Sequence, residues 1–436
     1  MSKQNQNGNI VAIITMMFLF AMISFVTNLA APIGVIWKNQ PGIDGSNFLG
    51  MMGNMMNFAA YLFMGIPAGK LLVRIGYKKT ALLAIAVGFL GVFTQFLSGK
   101  IGVESQLFGL PANFFIYLLG AFIAGFSVCM LNTVVNPMLN LLGGGGNKGN
   151  QLIQIGGTCN SLTGTLTPMF VGALIGTVTK DTAITDVNTV LFIAMGVFIL
   201  TLGILSLIPI ADPDAGKKKE NVVFEKSPWA FRHFVLGAVA IFVYVGVEVG
   251  IPGTLNFFLE DAEKGANLGA TIAGFVAGTY WFMMLVGRFL GSIIAGKISS
   301  KMMLISASSA GIILIAGAML TSKIMTSMPV FTGSGFEVQV VPLTALLLVL
   351  CGLCTSIMWG SIFNLATEGL GKYTAAGSGI FMMMVVGGGI LPLIQNWVAD
   401  LSTYMVSYLV PIAGMAYMLY YALIGSKNVN KDIAVD

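Results

Sequence analysis

Twelve apolar, charge-poor stretches recur along the chain, at 10–37, 47–73, 80–98, 112–142, 151–177, 187–210, 231–259, 268–297, 302–322, 338–368, 374–398 and 402–425. A helix rising 1.5 Å per residue needs about 20 apolar residues to cross a ~30 Å hydrocarbon layer, and these stretches supply that length again and again. They predict an all-α membrane protein of twelve transmembrane helices. Composition agrees: 56% of the residues are hydrophobic and only 9% are charged. So few charges cannot solvate a chain of this size, which excludes a disordered protein, a nucleic-acid-binding module and an ordinary cytosolic enzyme. The first stretch is too long for a removable signal peptide and lacks a basic flank and a small-residue cleavage site. It reads as a retained span.

Basic residues set the orientation, because Lys and Arg accumulate in short cytoplasmic loops. With both termini inside, fifteen of them (Lys3, Arg74, Lys78, Lys79, Lys148, Lys217, Lys218, Lys219, Lys226, Arg232, Lys297, Lys301, Lys372, Lys427 and Lys431) fall on the cytoplasmic side. Opposite stand Lys38, Lys100, Lys180, Lys264 and Lys323. Lys70, just inside the membrane, can snorkel to the inner boundary. The expected location is the cell inner (plasma) membrane, and the split accounts for the net charge of +5 without an acidic partner.

The longest polar stretch, 212–229, carries Pro213, Gly216, the run Lys217-Lys218-Lys219 and Pro228, and it divides the spans six and six. The chain therefore reads as an N-terminal six-helix bundle (1–211), a cytoplasmic linker (212–229) and a C-terminal six-helix bundle (230–436). Internal symmetry supports this. Ala68-Gly69-Lys70-Leu71 closes the second span and Ala295-Gly296-Lys297-Ile298 closes the eighth, while Asn136 and Asn364 sit at matching places in the fourth and tenth. Two repeated halves around a midplane site are a common design of secondary transporters.

Sequence motifs point the same way. Gly65, Gly69, Arg74, Gly76, Lys78 and Lys79, between the second and third spans, resemble the inner-loop signature of the major facilitator superfamily, although Val73 stands where that signature usually has an acid. Asn132-Thr133-Val134-Val135-Asn136-Pro137 with Asn160-Ser161-Leu162, Val243 to Gly250, Gly287-Arg288-Phe289-Leu290-Gly291 and Val385 to Pro392 are similar to the fucose/galactose/glucose-proton symporter branch. The resemblance covers nearly the whole chain. It implies two pseudosymmetric six-helix bundles and sugar transport by alternating access. It also implies coupling acids in the first span and at the head of the fourth-span motif. This sequence has neither: Asn132 occupies the second position, and the first span reads Thr27-Asn28-Leu29-Ala30-Ala31-Pro32.

A charge within hydrocarbon costs about 2.5–3.5 kcal/mol on insertion scales, so those that persist there should face the bundle interior or a watery cavity. Two charges lie that deep, Glu248 in the seventh span and Arg288 in the eighth. Tyr244, Glu248, Pro252 and Asn256 share one helical face. Helix rise places Glu248 and Arg288 about 12 Å apart in depth, so no direct salt bridge is expected. A carboxyl group in a low-dielectric cavity holds its proton more tightly than in water, which suits Glu248 to ion coupling. A carboxylate equally suits Na⁺, so the expected coupling cation is H⁺ or Na⁺; the alternative is a protonated Glu bonded between helices. Arg288, with Arg74 and Lys78 of the inner loop, is a candidate for gating.

Sugars offer hydroxyl donors and acceptors but no charge, so neutral amides and aromatic faces recognise them. The candidates are Asn28, Asn54, Asn57, Asn132, Asn136, Gln154 and Asn160 in the first half, and Asn256, Tyr280, Trp281, Asn364, Gln395 and Asn396 in the second. Asn132, Asn136 and Asn140 form a stripe at intervals of four. Any one amide can instead be interhelical glue, worth about 0.6 kcal/mol; spread over both halves, the set favours a cavity.

Other features carry less. Gly143-Gly144-Gly145-Gly146 lacks the Gly-Lys-Ser/Thr of a phosphate loop. Cys351 and Cys354 have redox-like spacing but lie in an apolar helix. His233, the single histidine, reads as a solvated interface residue. Neither a Ser-His-Asp set nor a hydrolytic carboxylate pair can be assembled, so no catalysis, cofactor or metal is expected. The expected protein is a monomeric, cation-coupled importer of a neutral sugar such as a hexose or deoxyhexose, with lipid, sugar and cation as its partners and no nucleic acid. A facilitative uniporter and a multidrug exporter on the same fold are the alternatives.

Overall fold

A computed structural model describes residues 3–142, 146–176, 182–208, 226–294, 298–332, 335–370 and 373–429. The chain splits into two compact units, Met1–Lys217 and Lys218–Asp436. Residues 212–225, most of the expected linker, lie outside the described residues.

In the first unit the helices are α1 (Lys3–Asn28, continuing as Ala30–Lys38), α2 (Asn47–Gly50 and Met52–Ile75), α3 (Tyr77–Leu97), α4 (Ala112–Leu142), α5 (Gly146–Ile175) and α6 (Asn188–Leu207). The second unit has α7 (Arg232–Glu260), α8 (Gly269–Ile294), α9 (Ser300–Leu320), α10 (Leu343–Thr355 and Met358–Thr367), α11 (Thr374–Met384 and Gly387–Leu401) and α12 (Tyr404–Ser407, Leu409–Tyr420 and a π turn Tyr421–Gly425). Among the described residues ten helices are long and apolar enough to cross a membrane. The other two long ones are α2 and α5; half of α5 is Asn, Gln, Thr and Gly, which lowers its hydropathy.

Packing repeats between the units. In the first, α3 lies on α4, α2 on α4, α1 on α5 and α3 on α6; in the second, α9 lies on α10, α8 on α10, α7 on α11 and α9 on α12. Lipid supplies no hydrophobic drive for helices to associate, so close approach through small residues does much of the work. At the α7–α11 seam a side chain on Gly387 would collide with the Phe242 carbonyl. A matching clamp appears at the end of each unit that carries the basic loops. Lys78 Nζ, in the first turn of α3, donates to the carbonyls of Ser206 (2.9 Å) and Ile208 (2.7 Å) where α6 ends. Lys301 Nζ, in the first turn of α9, donates to the Leu423 carbonyl (3.2 Å) in the closing turn of α12. An ammonium there satisfies carbonyls that have no partner within the helix and opposes the negative end of its dipole. Lys78→Met should lower stability by about 0.5–1.5 kcal/mol, seen as a fall of about 1–3 °C in the melting temperature of purified protein.

Sequence reasoning missed two β-hairpins. β1 (Gln106–Leu107) pairs antiparallel with β2 (Leu110–Pro111), and β3 (Met325–Phe331) with β4 (Phe336–Pro342). Each joins the third helix of its unit to the fourth, at the end away from the basic loops. The expected tenth span is therefore too long: 338–342 is strand, and α10 begins at Leu343. Those residues, Val338 to Pro342, are apolar enough to pass for the start of a helix, but β-branched residues in alternation favour a strand.

Candidate functional site

In the first unit the amides divide by partner. Asn132 Nδ2 donates to Tyr61 Oη at 2.7 Å, joining α4 to α2. Tyr61 was not singled out from sequence, although it lies four residues beyond Asn57 on the same face of α2. Asn160 Nδ2 donates to the Phe20 carbonyl at 3.1 Å, joining α5 to α1. Asn136 and Asn28 bond within their own helices, to the Asn132 carbonyl (3.0 Å) and the Ser24 carbonyl (2.9 Å). Neither bond ties one helix to another. Asn28 also precedes the break in α1 at Leu29, and Pro32 lacks the N–H that would have reached its carbonyl. Asn54 and Asn57 are buried on α2, and Asn57 Oδ1 has no hydrogen-bond partner. The side chains of Asn140 and Gln154 lie outside the described residues.

The second unit holds the two deep charges, and it corrects the expectation that they stand apart. Arg288 Nη2 lies 3.7 Å from Glu248 Oε1, and the two side chains are only 21% and 13% exposed. Helical side chains lean toward the N-terminus of their helix. Because α7 and α8 are successive and antiparallel, Glu248 leans toward the basic end and Arg288 leans away from it, so the two converge across the depth between their backbones. At 3.7 Å the contact is an ion pair longer than a hydrogen bond.

Around this pair α7, α8 and α10 close a ring of contacts. The Tyr244 hydroxyl, one turn from Glu248, is within electrostatic reach of both charges, and its ring lies 6.1 Å from that of Trp359. Trp359 sits just past the break in α10 at Ser356–Ile357. Gly287, next to Arg288, packs on that break so tightly that a side chain there would strike Ser356. Glu248, Arg288, the α10 break, Trp359 and Tyr244 thus lie in one contiguous cluster.

The remaining candidates scatter. Tyr280 is fully buried and its hydroxyl pairs with Thr355 Oγ1 at 2.9 Å, a link between α8 and α10. Trp281 meets the Tyr280 ring edge-on at 5.5 Å. Asn396 Nδ2 donates to Thr254 Oγ1 at 3.0 Å across the α7–α11 seam. Asn396 Oδ1 and Gln395 Nε2 have no partner although both residues are buried. Asn256 is also buried. Asn364, by contrast, is exposed and reaches Ser300 at 3.5 Å, at the basic end rather than mid-span. Arg74 is exposed, while Lys78 is engaged in its clamp on α6. His233 is not solvated as expected: it is buried, with Nε2 2.9 Å from the Glu368 carbonyl that ends α10. Thr254 and Thr355, which hold Asn396 and Tyr280, gave no sequence signal beyond being hydroxyls inside spans.

Comparison with known proteins follows the same outline. The sequence profile of the Major Facilitator Superfamily matches residues 13–393. The chain is 31% identical over 424 residues to a glucose/galactose transporter of Brucella abortus biovar 1 (strain 9-941), covering 96% of this chain and 94% of that protein. It is 22% identical over 410 residues to the L-fucose-proton symporter of Escherichia coli K12, covering 88% and 85%. In fold it is similar to a crystal structure of a Major Facilitator Superfamily transporter, FucP, in the outward conformation, with a TM-score of 0.63 at 20% identity, covering 96% of this chain and 100% of that one.

Proposed function

Since the chain belongs to the Major Facilitator Superfamily, we propose that it is a secondary transporter importing a neutral hexose-like sugar by alternating access, coupled to a cation. It works as a multi-pass protein of the inner membrane with both termini in the cytoplasm. The observation that carries the sugar reading is the likeness, over almost its full length, to a protein named as a glucose/galactose transporter. The amides supply a physical complement. Asn57 Oδ1, Asn396 Oδ1 and Gln395 Nε2 are two acceptors and a donor left open in buried positions, and such atoms cost free energy unless a hydroxyl or water fills them.

Glu248 is the coupling residue in this reading, and its neighbour bears on the ion. A carboxylate already facing a guanidinium at 3.7 Å gains little from Na⁺, which would bring two cations together. A proton instead discharges the carboxylate and loosens its hold on Arg288. The pair equally favours a second reading, a facilitative uniporter, because Arg288 is a built-in counter-ion and neither α1 nor α4 holds a carboxylate. One measurement separates the two. Purified protein in vesicles is given labelled glucose, galactose or fucose under an imposed proton gradient, with and without Na⁺. Accumulation driven by the proton gradient alone supports symport; equilibration without accumulation supports the uniporter; no transport of any of the three overturns the sugar reading.

For the α4 stripe, Asn136→Ala should weaken sugar binding about 5–10-fold, the value of one good hydrogen bond, while membrane abundance stays near wild type. The check is sugar-induced thermal stabilisation beside quantitative blotting. Equal losses in both would assign Asn136 to packing.

A further inference from the structure

We propose that the hairpin β3–β4 is seated in lipid, lying in the headgroup and acyl boundary of the leaflet away from the basic loops. Its outward face is apolar. Phe336, Val338 and Val340 alternate along β4 and are 54%, 70% and 59% exposed. Across the register they stand opposite Phe331, Pro329 and Ser327, so five of these six residues are apolar. On the opposite face Met328, Val330 and Val341 are buried, while Glu337, paired with Val330 beside the tip, is exposed and needs the headgroups and water of a boundary. A hairpin in water shows polar residues on its free face, and an apolar face left bare there invites aggregation.

Position supports lipid rather than water. The Phe331 N–H donates to Thr279 Oγ1 at 3.1 Å, and the Phe282 ring lies 5.4 Å from Phe331 and 5.3 Å from Phe336. Thr279 and Phe282 belong to α8, about 15 and 20 Å of helix rise from its start at Gly269; at 26 residues, about 39 Å, α8 exceeds the ~30 Å hydrocarbon layer by about 9 Å, so with its far end at the inner boundary the two lie about 6 and 11 Å below the outer one. Both fall inside the stretch of α8 that is long and apolar enough to cross a membrane, Gly269–Gly291. The far end of the hairpin therefore runs beside a span and not above it. Exposed Leu320, Ile324 and Met325 continue the apolar surface from the end of α9 into β3. The free edge of β4 still has backbone groups to satisfy, which limits the hairpin to the boundary zone where headgroups and water reach it.

The first unit repeats the device at the same connection. Phe108, between β1 and β2, is 88% exposed and sits at φ 53°, a left-handed conformation that bulky residues rarely adopt. It rests edge-on against Phe115 of α4, 6.3 Å away, and Leu119 one turn further is also exposed. The column leads from the turn onto the lipid-facing side of α4.

The experiment uses the full chain in phosphatidylethanolamine–phosphatidylglycerol vesicles. An environment-sensitive fluorophore is attached at Val338→Cys and, separately, at Val340→Cys, with the wild-type chain labelled in parallel to subtract reaction at Cys159. Glu263→Cys, in the exposed turn after α7, is the aqueous reference. The expected result is blue-shifted emission at both hairpin positions. Quenching by a lipid with a nitroxide near its headgroup, relative to quenching by iodide, should be about fivefold stronger than at the reference. Iodide quenching equal to that at the reference would overturn the proposal. So would shielding from both quenchers, which would mean that protein covers the face, or shielding lost in nanodiscs holding one chain, which would mean that a second copy does.

Discussion

Replacing Glu248 with glutamine should abolish accumulation of sugar against its gradient while leaving exchange across the membrane and sugar binding largely intact. Glutamine keeps the size and hydrogen-bonding reach of the side chain but can neither carry charge nor load a proton, so what is removed is the coupling and not the fold. In energised vesicles the inside-to-outside ratio of labelled sugar should fall to equality, whereas counterflow should retain most of its wild-type rate. Wild-type accumulation by the variant would take Glu248 out of the coupling role. Loss of counterflow together with accumulation would make it part of the sugar site.

The second large effect belongs to its partner. Arg288→Gln leaves the Glu248 carboxylate, only 13% exposed, without the cation 3.7 Å away. Stranding one charge of a buried pair is among the more costly single changes, here on the order of 2–3 kcal/mol given partial exposure. The expected melting temperature of Arg288→Gln lies below wild type and the gap narrows as the pH is lowered, because a proton neutralises the stranded carboxylate. Its decisive companion is the double variant Glu248→Gln/Arg288→Gln, which carries no charge at the site and should be more stable than Arg288→Gln alone. Additive losses in the double variant would show that the two side chains do not act as a pair.

The fold was largely legible because membrane burial is written in long apolar stretches, and each expected span is occupied by a helix. What escaped was local. Val338 to Pro342 reads as the start of a span because it is as apolar as one, and only the alternation of Phe336, Val338 and Val340 marks a strand. At the candidate site, composition picked out Glu248 and Arg288 as the deep charges. Their backbones are about 12 Å apart in depth, but side chains lean toward helix N-termini, which in antiparallel neighbours brings these two together. The amides were legible as a set but not singly. Asn132 and Asn136 are one turn apart on α4, yet the first is held by Tyr61 of α2 and the second by its own backbone, a difference set by what lies across the interface.

The tight fit of Gly287 against the break in α10 puts the Glu248–Arg288 pair one residue from a discontinuity in a neighbouring helix. In the proposed transport reading, a proton on Glu248 that loosens Arg288 would be felt at that discontinuity, and a rearrangement there would be felt by the ion pair. Alternating access needs a link of that kind between a chemical event at one atom and the shape of a helix.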